Sequence, residues 1–282
     1  MKFVILSDLH IVPPGQDSHG VDTAARARRA VAELAANHAD AEFCVLLGDL
    51  ADHGSPEAYA LLKQILSGLP MKQHFLLGNH DHRANLTAAF PDVAHAGDGF
   101  VQSVLDTSEG RFIFLDSHEP GHVNGVLCET RLAWLAARLG EAKGTPVYLF
   151  VHHPPFDIGN WMDEIKLKSP GLAEILKAHG DVRHIFSGHT HRHSSGVWHG
   201  IPFANVGAVH YNTGLRVGRT AGDVTMYRFP GLGYSGVVLI DDHQMIVHHN
   251  EFISPGAPLE PAMFPPGPML AIIDAGGKLP GH

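Results

Sequence analysis

Five short clusters rich in aspartate and histidine punctuate the chain, and each closes a run of apolar, strand-like residues. Asp8-Leu9-His10 follows residues 3–6, Gly48-Asp49 follows 43–47, and Gly78-Asn79-His80-Asp81 follows 74–77. His152-His153 closes the run at 147–151, and Gly188-His189-Thr190-His191 the run at 183–186. This placement constrains the fold strongly, because open α/β sheets build their sites at the carboxyl ends of parallel strands. Helical signals separate most of the runs. Residues 22–38 place Ala24, Ala25, Arg28, Val31, Leu34 and Ala35 at amphipathic helical spacing. Ser55-Pro56-Glu57 reads as an N-cap followed by a first-turn proline, with a stop at Gly68. A helix over 130–139 is expected to end at Gly140, and Ser169-Pro170 to start another that ends at Gly180. Residues 100–105 and 111–115 read as a hairpin.

Beyond residue 193 the pattern changes to strands without long helices, at 197–198, 224–229, 237–240 and 245–247. The tail from residue 254 is proline-rich and lacks helical periodicity, as an extended segment would. The expected organisation is one domain over 1–252, with 193–252 a strand-rich region suited to oligomerisation, and a tail over 253–282. The expected fold class is α/β: two mixed sheets packed face to face with flanking helices, a single mixed sheet being the alternative.

Composition removes several classes of function. The apolar share of 44% fits a soluble globular chain, and the longest apolar runs are far too short to span a bilayer. A net charge of −9 argues against a polymeric nucleic acid as partner, yet leaves room for a small phosphate compound at a local cationic centre. Met1-Lys2 runs directly into the first strand with no space for a cleavable signal. Cys44 and Cys128 show no paired spacing, so a reducing cytoplasm is the expected location. The 23 histidines exceed what one site can use, and His179, His184, His199 and His243 read as surface or simple hydrogen-bonding residues.

Four of the six imidazoles in these clusters, two of the three carboxylates and the one amide would make a donor set for two divalent cations. Asp8 and His10, like His189 and His191, are two residues apart and share a side if the backbone is extended. Gly48 permits a sharp turn at a strand end, and the Asp49 carboxylate has two oxygens with which to bridge. Asn79 supplies a neutral oxygen, and His80 beside it need not bind metal. With no thiolate in the set, Mn2+, Fe2+, Co2+ and Zn2+ all remain suitable, and no structural-zinc spacing is present. Ser7 lacks the G-x-S-x-G context of a serine hydrolase. Gly231-Leu232-Gly233 lacks the lysine and helix of a phosphate loop. Arg83 and His118 read as exposed loop residues.

In this order the clusters spell D-x-H, G-D, G-N-H-[DE], H and G-H-x-H, and the chain resembles the calcineurin-like metallophosphoesterase superfamily over residues 3–210. Finer features resemble its cyclic-nucleotide and glycerophosphodiester phosphodiesterase branch: Gly48-Asp49-Leu50-Ala51-Asp52 with Gly54 and Tyr59, Leu115-Asp116-Ser117, Trp134-Leu135 and Met162-Asp163. The resemblance implies one metal held by Asp8, His10, Asp49 and His191, and a second held by Asp49, Asn79, His152 and His189. His153 and His193 stand outside that set. His80 takes the family's catalytic position, and Asp81 is expected to orient a ligand imidazole. Asn79, His80, Met162, Asp163 and His118 are expected to meet the substrate. The implied activity is hydrolysis of a small phosphodiester, a cyclic nucleotide or glycerophosphodiester, by a hydroxide bridging two divalent ions, in a homo-oligomeric enzyme. The alternatives are a phosphomonoesterase or nucleotidase and, more remotely, a non-catalytic metal-binding scaffold.

Overall fold

Residues of alternating orientation in the first two strands face two different cores, and that alternation sets the architecture. In the computed structural model, which describes residues 1–96, 98–214, 217, 228–229 and 232–253, the elements run as follows. The first half comprises β1 (Lys2–Leu6), α1 (Thr23–Asn37), β2 (Phe43–Leu46), α2 (Pro56–Leu66), β3 (Lys72–Phe75), α3 (Arg83–Ala89), β4 (Ser103–Thr107), β5 (Gly110–Leu115) and α4 (Glu129–Glu141). The second comprises β6 (Val147–Val151), α5 (Leu172–His179), β7 (Val182–Ser187), β8 (Ser194–Trp198), β9 (Ile201–Asn205), β10 (Asn212–Thr213), β11 (Arg228–Phe229), β12 (Leu232–Ile240) and β13 (Met245–Ile253).

One sheet has the order β13-β12-β1-β2-β3 and the other β4-β5-β6-β7-β9-β8. Strands β1 to β3 are parallel, as are β5, β6, β7 and β9, while β12, β4 and β8 pair antiparallel with their neighbours. Both sheets are therefore mixed, as expected. Phe3 and Ile5 point between the sheets, whereas Val4 and Leu6 point to α1 and α2, following the period of two along a strand. The inter-sheet core is aromatic. Phe3 stacks on Phe43 at 5.0 Å and meets Phe112 and Phe150 edge-on at 5.5 and 5.8 Å, geometries that add to plain area burial. Helices α4 and α5 cover the outer face of the second sheet.

The helix starts at Asp22 and Ser55 hold, each side chain accepting the N–H three residues on, from Ala25 and Ala58. Other boundaries move. Strand β3 occupies 72–75 rather than 74–77, and Gly140 lies inside α4 because packing of the helix on the sheet outweighs the weak propensity of one glycine. Gly171, not Ser169, sits at the N-cap of α5, which ends at Gly180 (φ 85°) as expected. The region after residue 193 builds both sheets: β8 and β9 extend the second, and β12 pairs with β1 in the first. Of the strand expected at 224–229 only β11 is described, and residues 254–282 of the tail lie outside the described residues.

Candidate metal centre

The clusters do not present their side chains from extended backbone. Asp8, His10, Asp49, His189 and His191, five of the seven expected ligands, have φ between 47° and 64°. The same-side argument for residues two apart therefore fails here. Left-handed backbone costs about 1–2 kcal/mol per non-glycine residue, and such strain gathers at functional sites where surrounding structure enforces it. Cross-strand ties enforce it: Asp8 and His10 N–H donate to the Gly48 and Asp49 carbonyls at 3.0 and 2.9 Å, and His210 N–H donates to the Asp8 carbonyl at 3.1 Å.

Asp8, His10, Asp49 and His191 are buried, with donor atoms within 4.8 Å of one another. His10 Nε2 lies 3.1 Å from His191 Nε2 and 3.6 Å from Asp49 Oδ2, and His191 Nε2 lies 3.4 Å from Asp8 Oδ1. The rear nitrogens fix the tautomers. His191 Nδ1 meets the Tyr211 carbonyl at 2.8 Å, and His10 Nδ1 meets Asp52 Oδ1 at 2.9 Å. A carbonyl or carboxylate can only accept, so both Nδ1 atoms carry the proton and both Nε2 atoms present lone pairs. The Nδ1 proton of His152 is likewise held at the rear, by the Leu47 carbonyl at 2.8 Å.

His152 Nε2 lies 3.3 Å from Asp49 Oδ2, and both His152 Nε2 and Asn79 Oδ1 are buried without a hydrogen-bond partner. Buried polar atoms are seldom left this way. Asp49 Oδ2 thus lies 3.6 Å from His10 Nε2 and 3.3 Å from His152 Nε2, among atoms that can all accept once each imidazole gives up any Nε2 proton. Such a set fits divalent cations and little else. Electrostatics agree. Despite burial, His191 and His152 lower the Asp8 carboxyl to about 2, and His152 with its neighbours holds Asp49 well below its ordinary value. Burial lowers His152, but Asp49 and Asp8 outweigh it and raise the imidazole to about 9.

His80 lines a cavity of about 130 Å³ together with His10, Asp49, Asn79, Met162 and Tyr211. Its Nδ1 donates to the Asp52 carbonyl at 2.8 Å and lies 3.4 Å from Asp52 Oδ1. Burial opposes the charged ring, yet Asp52 and Asp49 raise its pKa to about 10. Asp81 does not orient an imidazole. Its oxygens accept the Leu50, Ala51 and Gly78 N–H groups and the Tyr59 hydroxyl, tying the loop after β2 to the loop after β3. Asp52 performs the orienting role instead. The sequence signal for it was the last residue of Gly48-Asp49-Leu50-Ala51-Asp52, whereas Tyr211 acts through its carbonyl and leaves no side-chain signal.

Of the expected substrate contacts, Asn79, His80 and Met162 line the cavity. Asp163 instead accepts the Ile158 and Gly159 N–H groups at 2.7 and 3.1 Å. His118 is buried and absent from the cavity wall. Arg83 is no exposed loop residue: it holds buried Asp116 through Nε and Nη2 at 2.8 and 3.0 Å and the His118 carbonyl at 3.0 Å. The bland reading of His184 also fails, since it is buried against Phe186 with neither ring nitrogen hydrogen-bonded.

Three glycines are required by space. A Cβ at Gly78 would overlap Asp49 Oδ1 and lie 2.6 Å from His152 Nε2; at Gly48 (φ 100°) it would lie 2.5 Å from His152 Nδ1; at Gly188 it would overlap Ser7 Oγ. Gly78→Ala is therefore expected to displace Asp49 and lower kcat/KM by about 10²-fold, the usual cost of ångström-scale misplacement. Steady-state kinetics with melting temperature separate this from unfolding, and an unchanged rate contradicts the packing argument.

The sequence profile of the calcineurin-like phosphoesterase family matches residues 1–193. A probable cyclic nucleotide phosphodiesterase of Rhodopseudomonas palustris is 42% identical over 209 residues, spanning 72% of this chain and 76% of its own length. A probable glycerophosphodiester phosphodiesterase of Arcobacter nitrofigilis is 30% identical over 206 residues, spanning 71% and 76%. Among solved structures, a dimetal phosphatase from Danio rerio superimposes with a TM-score of 0.64 at 16% identity, over 88% of this chain and 95% of that one, a likeness of fold.

Proposed function

The chain belongs to the calcineurin-like phosphoesterase family, and from that premise we propose that it is a metal-dependent phosphodiesterase acting on cyclic nucleotides or glycerophosphodiesters. Asp8, His10, Asp49 and His191 hold one divalent cation, and Asp49, Asn79, His152 and His189 hold the second. The observation that carries this is Asp49 Oδ2, 3.6 Å from His10 Nε2 and 3.3 Å from His152 Nε2, with each ring's Nδ1 proton held on its far side. Bound there, Mn2+, Fe2+, Co2+ or Zn2+ supply Lewis acidity and lower the pKa of water.

The chain's own residues do the rest. His80, protonated and on the cavity wall, gives a proton to the departing alkoxide oxygen. Asp52 holds that ring and the His10 ring in register. Asp8 and Asp49 against two dications leave a charge of about +2, which a hydroxide and a diester monoanion neutralise. A monoester dianion brings one more negative charge, and no lysine or arginine lines the cavity among the described residues. Val123, Met162 and Ile165 offer apolar contact to the alcohol portion. After metal reconstitution, kcat/KM for bis-p-nitrophenyl phosphate is expected to exceed that for p-nitrophenyl phosphate by about tenfold or more, a barrier difference of about 1.4 kcal/mol. A strong monoester preference favours the phosphomonoesterase or nucleotidase reading instead.

Metal loading is also expected to release protons. Below pH 9 the His152 ring is protonated in the metal-free fold, and a cation must displace that proton. Affinity for Mn2+ therefore rises with pH up to about 9 and levels beyond it. Calorimetry in buffers of different ionisation enthalpy reads the released proton directly, and pH-independent affinity contradicts the assignment.

We further place the enzyme in the cytoplasm as a homo-oligomer of dimer size or larger. Both cysteines are free, no helix of the described residues is long and apolar enough to cross a membrane, and edge strand β8 exposes Val197.

A further inference from the structure

Three of the four imidazoles assigned to metal have the nitrogen that faces away from the cation tied down. His10 Nδ1 is held by Asp52, His152 Nδ1 by the Leu47 carbonyl and His191 Nδ1 by the Tyr211 carbonyl. His189 is the exception. Its ring lines the cavity, but its Nε2 is buried and has no hydrogen-bond partner. The neighbouring ring has the matching deficiency. His153 is fully buried, its Nδ1 lies 2.8 Å from Ser117 Oγ, and its Nε2 is likewise buried and unpartnered. The His153 and His189 rings are 4.6 Å apart, and the donor atoms of His152, His153 and His189 fall within 4.8 Å of one another.

Resting on the two-metal reading above, we propose that Ser117, His153 and His189 form a hydrogen-bonded chain that makes His189 an Nδ1 ligand of the second cation. A neutral imidazole has one donor and one acceptor nitrogen. If His153 Nδ1–H donates to Ser117 Oγ, the lone pair is left on His153 Nε2, where it accepts from His189 Nε2–H. The remaining lone pair of His189 is then on Nδ1. Neither Nε2 has another hydrogen-bond partner, so nothing competes for the bond. Metal-bound histidines almost always give their second N–H to such a partner. The paired histidines at the end of β6 thereby divide the work: His152 meets the cation, and His153 positions the imidazole of His189. Gly125 leaves room for the arrangement, since a Cβ there would lie 2.6 Å from His153 Cγ.

The probe is Co2+ titrated into the metal-free chain by calorimetry, with the cobalt absorption spectrum recorded alongside. His153→Ala is expected to weaken the second site by about 10- to 100-fold and leave the first unchanged, which also shows that the fold persists. His153→Gln, whose Oε1 can accept the same N–H, is expected to recover most of that loss with an unaltered cobalt spectrum. In the 15N-histidine-labelled, Zn2+-loaded protein, His189 is expected to show a metal-bound Nδ1 and a protonated Nε2. Unchanged second-site affinity in His153→Ala overturns the proposal, as does His189 bound through Nε2. A cobalt spectrum that loses a nitrogen ligand in His153→Gln overturns it too, making His153 itself a ligand. If the unsubstituted chain fails to bind two Co2+ ions, the two-metal reading falls; if it binds two and the variants match it, only the hydrogen-bonded chain falls.

Discussion

Replacing Asp49 with alanine is expected to lower kcat/KM for a phosphodiester by about 10⁴-fold, because in the proposed centre one carboxylate serves both cation positions. Its Oδ2 lies between His10 Nε2 and His152 Nε2, and its Oδ1 accepts the His80 N–H at 2.9 Å. Losing it removes the negative charge shared by the two sites and loosens the backbone that carries the proton donor. Two-metal charge stabilisation is worth several kcal/mol, and about 5.5 kcal/mol corresponds to four decades of rate. Asp49→Asn separates the two effects. It keeps an oxygen for the His80 N–H and a similar shape, so melting is expected to stay close to the unsubstituted protein while bound metal and rate both fall. Metal content per chain and steady-state kinetics check this, and near-full activity in Asp49→Ala refutes the bridging role.

His80→Ala is expected to lower kcat by 10²- to 10⁴-fold, the range for a positioned general acid, with metal content unchanged. The loss depends on the leaving group. An alkyl alkoxide needs the proton and suffers the full effect, while p-nitrophenolate leaves unaided and suffers little. The pH dependence has a defined sign. The raised pKa of about 10 in the metal-free chain means that the acid form predominates at neutral pH, and nearby cations can only lower that value. Activity toward alkyl diesters therefore declines as pH rises through an alkaline pKa at or below 10, and this limb vanishes in His80→Ala. Equal losses for both leaving groups assign His80 to binding rather than proton transfer.

The parts of this site that sequence revealed are those carried by side-chain identity. Each Asp/His cluster is short, local and placed after an apolar run, so the clusters and the family pattern they spell marked Asp8, His10, Asp49, Asn79, His152, His189 and His191 as candidates, and the fold gathers Asp8, His10, Asp49 and His191 within reach of one another. Parallel strands β1, β2 and β3, with β6 and β7, then had to bring them together. What escaped was conformation imposed from a distance. The left-handed backbone at Asp8, His10, His189 and His191 depends on hydrogen bonds to loops remote in sequence, and no local propensity encodes it. Asp81 and Asp52 are equally acidic neighbours of ligands. Only the fold shows that Asp81 turns to backbone N–H groups while Asp52 reaches two imidazoles. Arg83 misled for a similar reason: its partner Asp116 is 33 positions away, at the end of β5. Gly48 was legible as a turn former, whereas at Gly78 and Gly188 the need is for space beside Asp49 and Ser7.

The most direct test is a titration of metal-free chain with Mn2+, following bound metal and hydrolysis of bis-p-nitrophenyl phosphate together. A dinuclear centre bridged by Asp49 predicts that hydrolysis appears only as the second equivalent per chain binds, and that Asp49→Ala never reaches it. Full hydrolysis at one bound ion, or none with two bound, contradicts the dinuclear account.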